Sequence, residues 1–238
     1  MVKFKPLRAN LHVQFVLGRP ILHWQDVYGR FCDMIYDAQK PKFAVGPSDF
    51  SISHGASLAD VRARYNIFSG ASTATLFSDR LAFEFPGLLQ QEVPTVIDMI
   101  GGIQDALPRA FPEAENYQRI DVQDYEHLEL LNGVGPAEFL QPYKISGVEE
   151  AFREMGVVVH AGMKTEIIAQ DQSWRGNLEI DRSILSAAAV FTSLNISLLK
   201  LDPKQPFSEK VSFVQHVGRT LLGSVQLESH NAPSTAAQ

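Results

Sequence analysis

The chain has 238 residues, 45% of them hydrophobic and 20% charged, which is typical of a globular protein and atypical of a disordered one. Its formal charge of -6 and its isoelectric point near 5.6 argue against a protein that coats nucleic acid, because phosphate contacts need Lys and Arg. This length fits one large domain or two small ones.

The cysteine content and the hydropathy of the sequence indicate where in the cell the protein is found. Cys32 is the single cysteine, which excludes an intrachain disulfide and a four-cysteine zinc site. Lys3, Lys5 and Arg8 interrupt the first apolar residues, so the start has no signal-peptide core. A membrane-spanning helix needs about 18 consecutive apolar residues, and the sequence contains no such run. We therefore expect a cytoplasmic protein.

The first predicted elements are a strand and a helix. A strand is predicted where apolar residues alternate with more polar ones. The apolar positions are Leu11, Val13, Phe15 and Leu17. Apolar side chains then recur at spacings of three and four, at Ile21, Trp24, Tyr28, Phe31 and Ile35. This stripe predicts a buried helical face, with Pro20 in its first turn and Pro41 behind its end.

Four extended segments and a second helix complete the first half. The segments cover 43–53, 60–68, 72–77 and 81–85, and a hairpin tip is predicted at Ser78-Asp79-Arg80. A helical stripe follows at Val93, Ile97, Ile100 and Leu107. Pro108 and Pro112 are expected to stop this helix, because proline lacks the backbone N–H.

The second half is predicted to repeat this order with one strand fewer. A strand over 117–131 and a short helix near 147–155 precede three strands over 157–169, 174–182 and 188–201. A last helix is predicted to open with Ser208 as its N-cap. The polar stretch 229–238 is expected to fray.

These elements predict an α+β fold of two pseudo-repeated halves, β-α-β4-α and then β-α-β3-α. The predicted boundaries are 1–112 and 113–228, with a flexible tail over 229–238. Because the apolar stripes need a partner, the long helices should pack on one face of a mostly antiparallel sheet. The order of elements in the first half resembles the TATA-binding-protein-like and helix-grip folds, and a shared topology implies no shared function.

Several short motifs are spread over nearly the whole chain: Pro6, Gln14-Phe15, Arg119-Ile120, the stretch 178–181 and the helix over 208–226. They resemble the opening, central and late strands and the C-terminal helix of a sporadically distributed family of uncharacterised prokaryotic proteins. The Asn usual in the central strand of that family is absent, and Asp124 and Tyr125 stand near its place. The resemblance implies no activity, but it implies a mobile-element or defence setting.

The common catalytic and nucleotide-binding motifs are absent. The sequence has no GxxxxGK[ST] loop, no HExxH and no GxSxG, and its seven histidines form no pair at a zinc-ligand spacing. We therefore expect neither a cofactor nor a metal. Cys32 is interpreted as a small core or boundary residue rather than a nucleophile.

A cluster of ionisable residues in the strand over 117–131 is the candidate catalytic site: Asp121, Asp124, Glu126 and His127. Strand alternation places Asp124 and Glu126 on the same face as the apolar Val122 and Leu128. They then form a polar pocket, a metal site or an acid/base pair, with His127 at its rim. Alternatively, a β-bulge shifts the alternation and leaves these residues in solvent.

Arg62 and Arg64 are the candidate ligand-binding residues. They share one strand face, opposite Ala63 and Tyr65, and are suited to an anion or carboxylate, even to Asp124 and Glu126 across the sheet. The alternative is a solvated strand face. A second same-face pair, His160 and Lys164, is interpreted as structural, and the aromatic stripe of the first helix as core.

The run over 184–199 has unusually high apolar content for a strand. It predicts a central strand covered on both faces, or one that contacts a partner chain. Asn195 and Ser197 within it would then need hydrogen-bond partners.

Three functional hypotheses follow. The first is a non-enzymatic binding or protein-interaction module that uses a sheet surface or a cleft between the halves, with another protein, itself or a small molecule as partner. The second is a hydrolase or metal-dependent enzyme centred on Asp124, Glu126 and His127. The third, a nucleic-acid reader, needs a basic concave face built from Arg62, Arg64 and Arg175, and the overall charge argues against it.

Overall fold

The structure is a computed structural model of the whole chain. It describes residues 1–23, 26–40, 42–53, 57, 60–115, 117–143, 162–202 and 205–229. Within these residues the fold is mixed, with helices and a largely antiparallel sheet. Over the same ranges no helix is both long and apolar enough to cross a membrane.

One sheet contains the ten strands found in the described residues. They are β1 Val2–Leu17, β2 Phe50–Ser53, β3 Arg62–Ile67, β4 Ser72–Leu76, β5 Arg80–Leu88, β6 Tyr117–Leu130, β7 Met163–Ile168, β8 Trp174–Arg182, β9 Ala189–Leu198 and β10 Leu227–Ser229. The antiparallel path runs β2-β3-β4-β5-β1-β6-β9-β8-β7, and β10 pairs with β1 in parallel. The sheet therefore continues without a break from the first half of the chain to the second.

The described helices are α1 Val27–Gln39, α2 Val93–Ala110, α3 Pro136–Leu140 and α4 Phe207–Ser224. The long helices cover one side of the sheet, which we call the helix face. Phe207 of α4 lies on Phe15 of β1, and Phe213 of α4 lies on Trp174 of β8, with ring centroids 5.6 and 5.9 Å apart. Gly218 lets α4 approach β9 closely, since a Cβ there would lie 2.8 Å from a methyl carbon of Leu194.

Aromatic side chains fill the centre of the core. Phe15 has no exposed surface, and its ring lies 5.9 Å from Phe83 and 5.3 Å from Tyr117. These side chains come from the three adjacent strands β5, β1 and β6, together with Phe207 from α4. The core thus joins the sheet centre to the last helix.

α2 ends at Ala110, between the two prolines predicted to stop it, so Pro112 rather than Pro108 marks its end. A proline at 108 removes the N–H that would bond the carbonyl of Gln104, four residues earlier. The Tyr117 hydroxyl donates to that carbonyl at 3.4 Å and replaces the missing donor.

Several other predicted boundaries are wrong. α1 begins at Val27, so Ile21 and Pro20 precede it, although Ile21 is buried. Pro206, not Ser208, is the N-cap of α4. The segment 43–53 becomes a strand only from Phe50, after a single 3₁₀ turn.

Some predictions fall on residues that the structure does not describe. Trp24, the helix near 147–155, His160 and nearly all of the tail over 229–238 lie outside the described ranges. Two elements within those ranges were missed from the sequence, the short helix α3 and the strand β10.

We expect Phe15→Ala to lower the free energy of unfolding by about 3–5 kcal/mol, because it leaves a cavity among aromatic rings. Urea denaturation measures this loss. The control is Leu22→Ala at a side chain that is 63% exposed, which should change stability by less than about 0.5 kcal/mol. Equal losses in both variants would contradict the central position of Phe15.

Candidate functional site on the two faces of the sheet

The carboxylates Asp124 and Glu126, called the acid pair below, lie on the helix face of β6. β6 pairs with β9 from Ile120 to Glu129 without a register shift, so the alternation of β6 is uninterrupted. The acid pair therefore shares a face with the buried Val122 and Leu128, as the alternation predicts. The bulge lies instead in β1, between Pro6 and Arg8.

The surroundings of the acid pair are mainly apolar. Leu11 and Leu194 flank Asp124 in the neighbouring strands, while Ala9 and Thr192 flank Glu126. Burial raises the pKa of Asp124 to about 6. Burial, followed by the charge of Asp124, raises the pKa of Glu126 to about 8. At neutral pH the pair thus combines a mostly protonated carboxyl with a mostly ionised one.

His127 points to the opposite side of the sheet, which we call the open face. Its Nδ1 lies 2.8 Å from Ser183 Oγ, and its ring lies 5.2 Å from Phe191. Burial, and then the charge of Arg8, lower its pKa. The structure therefore does not bring His127 together with the acid pair. Across the described ranges, no three His, Cys, Asp or Glu residues form a metal-binding group.

Asp121, the fourth member of the predicted cluster, also lies on the open face and has a structural role. Its Oδ2 accepts a hydrogen bond from Arg119 Nε at 2.8 Å, and its Oδ1 accepts one from Ser197 Oγ at 2.6 Å. The bond from Ser197 satisfies the predicted need of that residue for a partner and ties β6 to β9.

Arg62 and Arg64 lie exposed on the open face of β3. Three strands separate β3 from β6, and the acid pair faces the other way, so the predicted pairing with Asp124 and Glu126 is wrong. The Arg62 guanidinium lies 5.6 Å from the centre of the Phe77 ring, and that of Arg80 lies 4.2 Å from it. Among the described residues, no carboxylate lies within salt-bridge distance of Arg62 or Arg64.

A line of polar side chains crosses the open face from β3 to β7, and sequence reasoning missed it. We call it the polar row, and its members in strand order are Asn66, Thr73, Glu84, His12, Gln123, Asn195, Asn177 and Glu166. Asn195 Nδ2 donates to Asn177 Oδ1 at 2.9 Å, and the Tyr125 hydroxyl donates to Gln123 Oε1 at 2.9 Å. Each strand carries the polar alternation in its sequence, but the alignment of strands that creates the row depends on register.

Charge is unevenly distributed over the open face. On β3, β5 and β1 it carries six basic residues and one acidic residue: Lys3, Lys5, Arg8, Arg62, Arg64, Arg80 and Glu84. On β6, β8 and β7 it carries three basic and five acidic residues: Arg119, Lys164, Arg175, Asp121, Glu129, Glu166, Glu179 and Asp181. We call these two parts the basic side and the acidic side.

Other predicted features have structural explanations. The apolar run over 184–199 supplies β9, an interior strand between β6 and β8, although Ile184 in the preceding loop is 93% exposed. Cys32 is half-buried in α1, and burial is the main reason why its pKa is raised, which keeps the thiol protonated.

An open groove between α1 and α2 carries opposite charges. Its lining includes Arg30, Asp33, Asp37 and Arg109. Arg30 donates to the Ala110 carbonyl at 3.2 Å and lies over the Phe111 ring, so its guanidinium already has partners.

Comparison of the sequence with protein-family models and with curated proteins gives no match. The functional interpretation therefore depends on the geometry of the two faces.

We expect Glu126→Gln to stabilise the protein at high pH and to have little effect at low pH. The folded-state pKa of Glu126, about 8, exceeds the ordinary value of 4.5, so the native state loses stability as the pH rises between these values. Removing the charge should recover about 1–3 kcal/mol at pH near 8. Asp124→Asn should show the same direction at a lower pH, since its folded-state pKa is about 6.

Urea denaturation at several pH values measures this dependence. Glu84→Gln, at an exposed position on the open face, is the matched control. A Glu126→Gln protein that is equally stabilised at acidic and alkaline pH would contradict the burial of this carboxyl.

Proposed function

We propose that the protein is a non-enzymatic binding or protein-interaction module that binds its partner through the open face. The observation that carries this proposal is the polar row, a continuous series of hydrogen-bonding side chains across eight strands. Glu84 and Glu166 are exposed, and the other members of the row except the buried Thr73 are half-exposed, so they offer directed hydrogen bonds to a ligand. None of the described helices packs on this face.

The partner is another protein or a second copy of the chain, and a small molecule fits less of the surface. Arginine and tyrosine are enriched in protein interfaces, and the open face carries Arg62, Arg64, Arg175 and Tyr125. The acidic side disfavours a nucleic-acid strand, because its carboxylates would repel phosphates. A cytoplasmic location and a mobile-element or defence setting belong to the proposal.

The proposal includes the arrangement of the chain as two pseudo-repeated halves. β1 and β6 lie next to each other at the sheet centre, and the later strands of each half follow outward, β5 to β2 on one side and β9 to β7 on the other. This order supports a pseudo-two-fold relation in which each half supplies one side of the open face. In the part of the second half that the structure describes, β2 has no counterpart.

The acid pair supports a second candidate function, a hydrolase that uses Asp124 and Glu126. The observation that favours it is the raised pKa of both carboxyls, about 6 for Asp124 and about 8 for Glu126. At neutral pH the ionised carboxyl then acts as general base and the protonated one as general acid. This version of the hypothesis leaves out His127, which lies on the other face.

We expect Asn195→Arg to abolish partner binding without unfolding the protein. The substitution places a long cation in the middle of the polar row and removes the hydrogen bond to Asn177. Quantitative mass spectrometry of proteins that co-purify with each variant measures the loss. Thr220→Arg, at an exposed position of α4, is the control and should retain the wild-type partner. Equal recovery of that partner by both variants would place binding elsewhere.

The hydrolase candidate predicts that Asp124→Asn and Glu126→Gln each abolish an ester or phosphoester hydrolysis detectable in a substrate panel, by about 10²–10⁴-fold. Asn195→Arg should leave that hydrolysis intact. If the wild type hydrolyses nothing, or if the acid-pair variants remain as active as the wild type, the hydrolase candidate is excluded.

A further inference from the structure

We infer that the open face binds the open face of a second copy of this chain, so that the protein is a symmetric homodimer. This inference rests on the proposed function and names its partner. The first argument is charge complementarity. The basic side of the open face has six basic residues against one acidic residue, and the acidic side has five acidic residues against three basic ones. A surface of this kind is complementary to itself.

The positions of the charges fit a two-fold axis. Arg64 lies on β3 and Glu179 on β8, each three strands from β1. Followed from strand to strand through the cross-strand pairs, Arg64 aligns with Gln14 of β1 and Glu179 aligns with Asn10. These two positions are the next residues of the open face on either side of His12 along β1. The two charges are thus placed symmetrically about the middle of the face.

A two-fold axis lying in the interface at His12 brings Arg64 of each copy opposite Glu179 of the other. Because a two-fold interface uses the same patch on both copies, this contact forms twice. Arg64 has no carboxylate within salt-bridge distance among the described residues, so its guanidinium can make a two-pronged contact with a carboxylate of the second copy.

The face is large enough for a stable dimer. β3 and β8 are six strand spacings apart, which corresponds to about 29 Å, and the stretch from Arg8 to Val16 of β1 extends for about 27 Å. Their product, about 800 Å², equals the surface that each partner contributes to an interface of standard size.

Aromatic anchors lie near the proposed axis. Tyr125 is half-buried and stacks on Phe191, with ring centroids 6.2 Å apart and planes 8° from parallel. The Tyr125 ring also meets His12 edge-on at 5.5 Å. Rings that are held in place before binding lose little conformational freedom on association, which suits them to the centre of an interface.

The test is a charge exchange between the two sides. Wild-type protein should sediment at twice the 26.4 kDa of the chain and dissociate over about 1–100 µM. Arg64→Glu and Glu179→Arg should each weaken self-association at least tenfold, because each creates two like-charge contacts. An equimolar mixture of the two variants should restore the dimer, because both contacts then join opposite charges. The double variant should also restore it.

Arg219→Glu, an exposed position on α4, is the control and should leave the dimer unchanged. A wild type that stays monomeric over the whole concentration range would overturn the inference. A dimer that survives both single variants, or a mixture that fails to restore association, would overturn it as well.

Hydrogen exchange separates this inference from the broader proposal. In the dimer, amides of β3, β1 and β8 should exchange more slowly at high protein concentration than at low concentration. If the wild type is monomeric but a captured partner slows exchange at the same strands, the binding function holds and self-association is rejected. If neither condition protects the open face, both are rejected.

Discussion

The antiparallel pairing of β1 with β6 is the interaction on which the rest of the structure depends. It extends from Phe4 to Leu17 and joins two groups of strands that are far apart in the sequence. Without it, the strands before residue 112 and those after it would form two smaller sheets, each with a long unpaired edge. The aromatic core around Phe15 lies directly on this junction.

This pairing also explains why the two faces have different chemistry. From Asn10 to Val16, β1 pairs in continuous register with β5 and β6, and β6 pairs in continuous register with β9, so the alternation of each strand carries through to its neighbours. Apolar residues therefore accumulate under the helices, and amides, hydroxyls and arginines accumulate on the other side. The acid pair is the exception, because it places two carboxylates among apolar side chains. Such exceptions to the alternation mark either a functional site or a local cost in stability.

Most of the secondary structure could be predicted from the sequence, because strand alternation and helical spacing are local signals. β3, β4, β6, β8 and β9 lie where the alternation places them. The continuation of α2 past Pro108 could not be predicted, since it depends on the Tyr117 hydroxyl of β6, which supplies the missing donor. The placement of Asp124 and Glu126 followed from alternation, whereas the distance of Arg62 and Arg64 from them depended on strand order. The polar row required the register of eight strands, which no local pattern encodes.

The central position of β1 has a consequence for how the chain folds during synthesis. β1 is synthesised before the other described strands, but its partner β6 follows about a hundred residues later, and β10, which pairs with Val2–Phe4, follows later still. Pairings between such distant segments form slowly. Until β6 emerges, one edge of β1 with its apolar Val13 and Phe15 lacks a partner. An unpaired strand edge with apolar side chains favours aggregation, so the delay before β6 is synthesised is the interval in which the growing chain needs this edge protected.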